Sequence, residues 1–190
     1  GELWSLTPDV VILAFELILI SVYAIPSWSK IKINFPSAEQ SFQVDVVASQ
    51  FAWSMHYPGP DAKFGRRDPK LVHANNPLGL DPSDASAKDD VVTVNEMHIP
   101  LGKPTLMRLS SVDVIHSFFI PEMRVKQDAT PGMKVPVWFE PTMVGKFEIG
   151  CAQLCGFGHA LMRGDLIVHS PEDFEAWAAK QAPALPVIGG

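Results

Sequence analysis

The sequence predicts a mainly β protein, an antiparallel β-sandwich or barrel preceded by one membrane-spanning helix. Between residues 41 and 169, short apolar runs alternate with turns, and the chain holds 13 glycines and 17 prolines. The first 27 residues instead carry a continuous apolar run, and no lysine or arginine precedes Lys30. At 190 residues the chain is long enough for one β domain and such an appendage.

The N-terminal segment has the length and composition of a membrane span. Val10–Ile25 is apolar apart from one glutamate and one serine. From Pro8 to Ile25 a helix would extend about 27 Å at a rise of about 1.5 Å per residue, close to the hydrocarbon thickness of a bilayer. A signal peptide would need a basic start, and a soluble core helix would show a polar face. We therefore assign residues 1–27 to a transmembrane helix that Pro26 ends.

Residues 28–180 form the predicted β domain. A strand at Ser41–Ser49 places apolar residues on one face and leads into an aromatic run ending at Tyr57. Pro58–Asp90 is rich in Pro, Gly, Asp and Asn without any period, which predicts a loop insertion at residues 59–90. Further strands are predicted at Val91–His98, Thr105–Leu109, Val112–Phe119, Val135–Phe139, Gly145–Gly150 and Asp165–His169.

A short helix is predicted after the last strand. Ser170 can cap its N-terminus, acidic residues occupy the first turn, and the helix extends to about Lys180. Residues 181–190 are a Pro/Gly/Ala-rich tail.

The charge of the chain argues against nucleic acid as a partner. The formal net charge is −6, with 15 basic and 21 acidic residues. Outside the N-terminal segment the chain has 15 basic and 18 acidic residues, which is too near neutral to suggest nucleic acid. The balance permits an acidic face for a basic partner but does not show one.

The candidate functional residues are a cluster of soft metal donors. Cys151 and Cys155, the only cysteines, lie in the run C-A-Q-L-C-G-F-G-H-A-L-M together with His159 and Met162. A further imidazole, His116, lies upstream. Thiolate, thioether and imidazole ligands favour copper over hard cations.

Several kinds of site could use these residues. A disulfide explains the cysteines but leaves His159 and Met162 to chance. A zinc site could use two Cys and two His, although C-x3-C-x3-H is not a familiar zinc-finger spacing. A mononuclear blue-copper site needs one Cys, and the surplus thiol could reduce the metal. The simplest arrangement that uses both thiolates is a pair of coppers bridged by them, with one imidazole on each metal.

The cysteine run, with V-I-H-S-F-F-I-P upstream and R-V-K-Q-D-A-T-P-G between, resembles subunit II of the haem–copper cytochrome c oxidases. The resemblance covers the chain from the apolar segment to about residue 178. It implies a cupredoxin-like Greek-key fold and a dinuclear copper centre, CuA. The ligands that it implies are the bridging thiolates of Cys151 and Cys155, the imidazoles of His116 and His159, the Met162 thioether and the backbone carbonyl of Gln153.

The resemblance also implies a function. The chain would take electrons from cytochrome c or a similar carrier and pass them to a haem in subunit I, where oxygen is reduced to water and protons are pumped. This chain would perform electron transfer only. Its partners would be the haem-bearing subunit I, other oxidase subunits and the bilayer, with the copper domain on the periplasmic side of a bacterial inner membrane. The helix resembles the second of the family's two spans.

Two other functions use the same residues. A CuA module of a nitrogen-oxide reductase would have the same ligands, and a membrane-anchored blue-copper carrier would need a subset of them.

The resemblance assigns roles to Phe51, Trp53 and Glu2, and it bears on a second role for Gln153. Electrons would enter near Phe51 and Trp53, where Phe51 occupies the place of the family's usual tryptophan. Glu2 lies near the family's carboxylate at the mouth of a proton path. Gln153 replaces a glutamate that helps to hold magnesium at the border with subunit I, and its neutral amide makes magnesium there doubtful.

Residues beside His116 are candidates for orienting its ring. Asp113 and Ser117 flank it in sequence. The remaining histidines have no metal-like spacing and are predicted to be structural or surface residues: His56, His73, His98 and His169.

Overall fold

The computed structural model describes residues 2–73, 75–181 and 183, with the backbone alone for residues 2 and 3. The chain divides into a helical unit that ends at Phe35 and a β unit that begins at Pro36. Of the predicted tail, only Gln181 and Pro183 are among the described residues.

The helical unit is one nearly continuous helix. Thr7–Lys32, 26 residues long, is the one helix in the described chain with the length and apolar composition to cross a membrane. It would extend about 39 Å. Its apolar side chains are exposed, as they are on a helix that faces lipid. Its parts, after a short helix α1 (Glu2–Ser5), are α2 (Thr7–Leu19), a π-helical segment (Ile20–Ala24) and α3 (Ile25–Lys32).

The prediction that Pro26 ends the helix is wrong. Pro26 stands in the first turn of α3, directly after the π-helical segment, and the amide of Ile25 bonds to the Ile20 carbonyl. Proline lacks an N–H and its ring crowds the preceding turn. A wider π-helical turn relieves this conflict, so the helix continues through the proline.

The β unit is a sandwich of two five-stranded sheets. The first sheet has the order β3-β2-β1-β5-β8 and the second β4-β10-β9-β6-β7. The strands are β1 (Phe42–Ser49), β2 (Ala52–Tyr57), β3 (Val91–Val94), β4 (Glu96–Pro100), β5 (Thr105–Ser111), β6 (His116–Ile120), β7 (Val125–Ala129), β8 (Val135–Phe139), β9 (Gly145–Cys151) and β10 (Arg163–His169).

The prediction of a mainly β sandwich is confirmed, with two parallel pairings in an otherwise antiparallel arrangement. β1 pairs with β5 and β4 with β10 in parallel. The core between the sheets is built from alternating inward residues of both, with Trp53 and Phe118 among its largest fully buried side chains.

Two strand predictions need correction, and one strand was missed. The predicted strand Val91–His98 breaks at Asn95, whose φ of 58° is left-handed, and there the chain leaves the first sheet for the second. Asparagine tolerates this conformation. The predicted strand Val112–Phe119 begins only at His116, because a turn closed by Ser111 Oγ and the Val114 carbonyl precedes it. Strand β7 was not predicted.

The segment 58–90 covers the outer face of the first sheet. Its Leu78, Leu80 and Ala87 are buried against Val47 of β1 and Val92 of β3. Apart from residue 74, which is not described, it contains 3-10 turns and isolated bridges but no strand. A small second core therefore holds this irregular segment to the sandwich.

Helix α4 (Pro171–Ala178) follows the last strand, as predicted. Ser170 caps it, because its hydroxyl accepts a hydrogen bond from the Asp173 amide at 3.1 Å.

Candidate metal centre

The predicted donors lie at one end of the second sheet. His116 is the first residue of β6, Cys151 is the last of β9, and the loop between β9 and β10 carries the rest. Pairing of Phe118 with Cys151 joins β6 to β9. The ligand loop, residues 152–162, is also held by a hydrogen bond from the Ala152 amide to the Ser117 carbonyl at 2.9 Å.

The two cysteines face each other as free thiols. Their Sγ atoms are 3.8 Å apart, well beyond the roughly 2.05 Å of a disulfide bond. Because metal–thiolate bonds are about 2.3 Å long, one ion can contact both sulfurs at this separation. The disulfide alternative does not describe this arrangement.

His116 and Met162 complete one side of the cluster. Nδ1 of His116 lies 3.1 Å from Met162 Sδ and 3.9 Å from Cys151 Sγ, and both His116 and Met162 are fully buried. Met162 Sδ is also 3.8 Å from Cys155 Sγ. The thioether therefore faces the other donors although it lies within the apolar core.

His159 and Gln153 contribute from the other side. Nδ1 of His159 lies 3.6 Å from Cys155 Sγ, and the Gln153 carbonyl oxygen lies 3.2 Å from Cys151 Sγ. The two imidazoles thus approach different sulfurs. The side chain of Gln153 is exposed, so only its backbone belongs to the cluster.

This donor set fits copper. Two sulfurs from cysteine, one from methionine, two imidazole nitrogens and one carbonyl converge within a few ångströms. Cysteine and methionine sulfur are soft ligands that select copper, whereas structural zinc sites are closed by four Cys or His ligands and leave a thioether unused.

The pKa of the Cys155 thiol is raised above its usual value. Burial, and then the hydrogen bond and charge of neighbouring Cys151, raise the pKa of Cys155 to about 11. A bound metal ion would replace the protons, because cysteine ligates as the thiolate.

Asp113 orients the His116 imidazole, as predicted. Its Oδ1 faces His116 Nε2 at 2.8 Å and accepts from the Val114 amide at 2.7 Å. Burial alone would raise the pKa of Asp113, but the hydrogen bonds from His116, from the Gln50 amide and from Val114 outweigh it and lower the pKa. Nδ1 of His116 is thereby left to face the sulfurs.

The other candidate, Ser117, does not bond to this ring. Its hydroxyl is buried and has no hydrogen-bond partner among the residues that the structure describes.

Phe51 and Trp53 both lie beside the donors, but they differ in burial. Trp53 is fully buried, and its ring centroid is 6.1 Å from that of His116. Phe51 is partly buried against the ligand loop, where a Cβ at Gly158 would lie 2.4 Å from its ring. The side chain of Glu2 lies outside the described part of the chain.

One contact of the cluster has no signal in the sequence. Gln50, in the turn between β1 and β2, donates a hydrogen bond from its side-chain Nε2 to the Cys155 carbonyl at 2.6 Å. The two residues are 105 positions apart, so spacing could not indicate the contact.

Comparison with known proteins identifies the family. A family model described as cytochrome c oxidase subunit II, periplasmic domain, matches residues 42–170. The chain is 41% identical over 140 residues to the alternative cytochrome c oxidase subunit 2 of Bradyrhizobium diazoefficiens, covering 73% of this chain and 50% of the relative. It is 38% identical over 150 residues to cytochrome c oxidase subunit 2 of Thermostichus vulcanus, covering 76% of this chain and 36% of the relative.

A solved structure agrees with these relatives. The crystal structure of the periplasmic domain of subunit II of cytochrome oxidase from Bradyrhizobium japonicum has a TM-score of 0.54 and 27% identity, covering 77% of this chain and 95% of that one. The expected cupredoxin-like fold is confirmed by this likeness. The chain spans half or less of the length of the two curated relatives. The match extends over most of the β unit and includes every residue of the donor cluster, so the chain belongs to the cytochrome c oxidase subunit II family.

Proposed function

We propose that the chain is the electron-accepting subunit of a haem–copper oxidase and that it holds a dinuclear copper centre of the CuA type. The observation that carries the proposal is the convergence of six donor atoms, three of them sulfur, at one end of the second sheet. In this assignment the thiolates of Cys151 and Cys155 would hold both coppers, and His116, His159, Met162 and the Gln153 carbonyl would complete the set of ligands.

Copper bound there would supply a site that gains and loses one electron at a time. The protein's own contribution is to hold the donors still. Because His116 and Cys151 sit on strands and Met162 is locked in the core, little rearrangement should accompany a change of charge. Low rearrangement favours fast electron transfer.

The surroundings support a route for the electron. Phe51 is partly exposed beside the ligand loop, and the buried Trp53 lies edge-on to the His116 ring. We propose that electrons from cytochrome c or a similar carrier enter near Phe51 and Trp53. Because Trp53 is fully buried, the donor would contact the surface around Phe51 and not Trp53 itself.

We propose that the electron passes on to a haem in subunit I, where oxygen is reduced and protons are pumped. The helix Thr7–Lys32 would anchor the chain in the inner membrane, with the β unit on the periplasmic side. The proposal includes copper alone, because the neutral side chain of Gln153 is a poor magnesium ligand.

Copper counting with electron paramagnetic resonance (EPR) tests the proposal. The full chain in detergent is loaded with copper, and the metal per chain is measured. We expect two coppers per chain and a seven-line hyperfine pattern, which arises when one unpaired electron is shared equally by two copper nuclei.

A matched variant sharpens the test. Cys151→Ser should remove the shared electron and leave a four-line signal from at most one copper. One copper with a four-line signal in the unmodified chain would contradict the dinuclear assignment and favour a blue-copper site. A colourless chain that prefers zinc would contradict the redox function altogether.

A further inference from the structure

Gln50 contacts both segments of the chain that carry metal donors. Its backbone amide donates a hydrogen bond to Asp113 Oδ2 at 2.6 Å, and its side-chain Nε2 donates to the Cys155 carbonyl at 2.6 Å. The other oxygen of Asp113 faces His116 Nε2 at 2.8 Å. One residue in the β1–β2 turn is therefore linked to a histidine ligand on one side and to a cysteine ligand on the other.

The turn that carries Gln50 is packed directly against the ligand loop. A Cβ at Gly156 would lie 2.8 Å from Gln50 Nε2 and 3.2 Å from the ring of Phe51. Gly156 also has a backbone φ of 140°, which residues other than glycine rarely adopt. Glycine at this position lets the ligand loop approach closely enough for the side-chain Nε2 of Gln50 to reach the Cys155 carbonyl.

The ligand loop depends on contacts of this kind. Residues 153–158 belong to no helix or strand. The loop's position is therefore set by what its backbone and side chains touch. An amide nitrogen 2.6 Å from a carbonyl oxygen can only be a donor in this orientation, because two oxygens would repel each other.

We propose that Gln50 is a positioning residue. It fixes the ligand loop relative to the segment that carries Asp113 and His116, so that the donors of both can bind the metal together. The inference rests on the proposed function, since it concerns the same centre. Gln50 touches no donor atom itself. It acts through the Asp113 carboxylate on the orientation of His116, and through the Cys155 carbonyl on the placement of the cysteine.

The substitution Gln50→Met tests the side-chain half of this link. Methionine is similar in length but cannot donate, and the backbone hydrogen bond to Asp113 is unaffected. In the copper-free full chain we expect amide hydrogen exchange in residues 153–162 to rise about tenfold, the effect of losing one hydrogen bond. In the copper-loaded chain we expect copper to dissociate about tenfold faster and the EPR hyperfine splitting to change.

Gln43→Met is the matched control. Gln43 lies on the adjoining strand β1 and donates from the same kind of side chain to the Ala38 carbonyl, at 3.4 Å. It is remote from the ligand loop in sequence and in strand register. Gln50→Glu is a second variant that keeps the shape of the side chain, and it should shift exchange in the same direction, because a carboxylate repels a carbonyl.

Two results would overturn the proposal. Exchange in residues 153–162 equal to that of Gln43→Met would show that Gln50 does not position the loop. A rise spread evenly over both sheets would show a general stabilising role instead. The exchange measurement uses copper-free protein, so it is decided even if the unmodified chain shows no shared-electron signal and the proposed function fails.

Discussion

Two buried histidines in the β unit are each paired with an aspartate, yet only His116 belongs to the donor cluster proposed to bind copper. His116 Nε2 lies 2.8 Å from Asp113, and His56 Nε2 lies 2.5 Å from Asp90. Both imidazoles are fully buried. The nitrogen that faces away from the carboxylate makes the difference: in His116 it faces two sulfurs, and in His56 it has no hydrogen-bond partner within the described chain.

The surroundings of the two pairs explain their different roles. His56 Nε2 and the Gly65 amide converge on Asp90 Oδ2, and the ring of Phe64 stands edge-on to His56 at 5.1 Å. This pair fixes both ends of the segment that covers the first sheet. The Asp113 side chain is instead 28% exposed, and it also accepts a hydrogen bond from the backbone amide of Gln50. This pair lies at the end of the sandwich and orients the imidazole of a proposed ligand.

The comparison shows that a carboxylate partner by itself does not identify a ligand. It fixes the ring and selects which nitrogen is free. The chemistry then depends on what that free nitrogen meets: sulfur donors in His116, and no hydrogen-bond partner among the described residues in His56. Substitutions that change stability without changing metal binding, or the reverse, test this distinction.

The largest expected effect is on folding, from Asp90→Ala. The change leaves the buried His56 ring and the Gly65 amide without their acceptor. A buried group left without its hydrogen-bond partner costs about 1–3 kcal/mol, so two of them should cost about 2–6 kcal/mol. We therefore expect urea denaturation of the copper-free chain to show a fall of that size in the free energy of unfolding. The molecules that remain folded should keep an unchanged copper EPR spectrum.

The control for this substitution is Asp128→Ala, at an exposed aspartate of β7. It should change the free energy of unfolding by no more than about 0.5 kcal/mol. If Asp90→Ala altered the copper spectrum while stability was retained, the division between a structural pair and a ligand pair would be wrong.

The next effect is on metal binding, from Asp113→Ala. Loss of a carboxylate behind a histidine ligand typically weakens metal affinity by about 10–100-fold. We expect a rise of that size in the copper dissociation constant, measured by competition with a chelator. Because the Asp113 side chain is partly exposed, the free energy of unfolding of the copper-free chain should fall by only about 1 kcal/mol. Unchanged copper affinity together with a large fall in the free energy of unfolding would show that His116–Asp113 is a structural pair like His56–Asp90.

Sequence alone indicated the cluster because all of its donors except His116 are close together in the chain. Cys151, Cys155, His159 and Met162 fall within one run, and Asp113 stands three positions before His116. The pair of His56 and Asp90 was missed because 34 positions and an aperiodic segment separate them. Such contacts follow from tertiary packing, which leaves no local pattern.

The strands, too, were predictable where the pattern is local and not where it depends on tertiary packing. Runs with a clear period of two, such as Thr105–Ser111, were predicted almost to their ends. The break at Asn95 was not, because a left-handed asparagine within an apolar run looks like any other strand residue. Its reason is tertiary: its side chain accepts a hydrogen bond from the Trp53 amide at 2.8 Å.

A third arrangement, two histidines paired with each other, sharpens the comparison. His98 Nδ1 and His169 Nε2 are 2.8 Å apart, and the His98 ring stacks on Trp177 of α4 with centroids 4.2 Å apart. These nitrogens face each other and meet no sulfur. Each ring therefore provides the hydrogen-bond partner of the other. Through the stacking of His98 on Trp177, the pair joins α4 to the second sheet.

The smallest expected effect is the pH dependence of this pair. Burial, and then the charge of His169, lower the pKa of His98 from its usual value of 6.5, although Glu96 at 3.7 Å opposes the shift. The folded chain thus binds a proton at His98 less readily than the unfolded chain. The stability that neutral His98 contributes is complete above pH 6.5 and is lost as the pH falls from there towards the lower folded-state pKa.

Urea denaturation of the unmodified chain and of His98→Gln, at pH 7.5 and at pH 5.5, measures this effect. The stability advantage of the unmodified chain should shrink at the lower pH, because only that chain pays to keep an imidazole neutral. His73→Gln, at an exposed histidine of the covering segment, controls for the substitution itself. If the advantage grew as the pH fell, His98 would be protonated in the folded chain and held by Glu96. The pair would then work as a carboxylate-anchored histidine, like the two pairs with which it is compared.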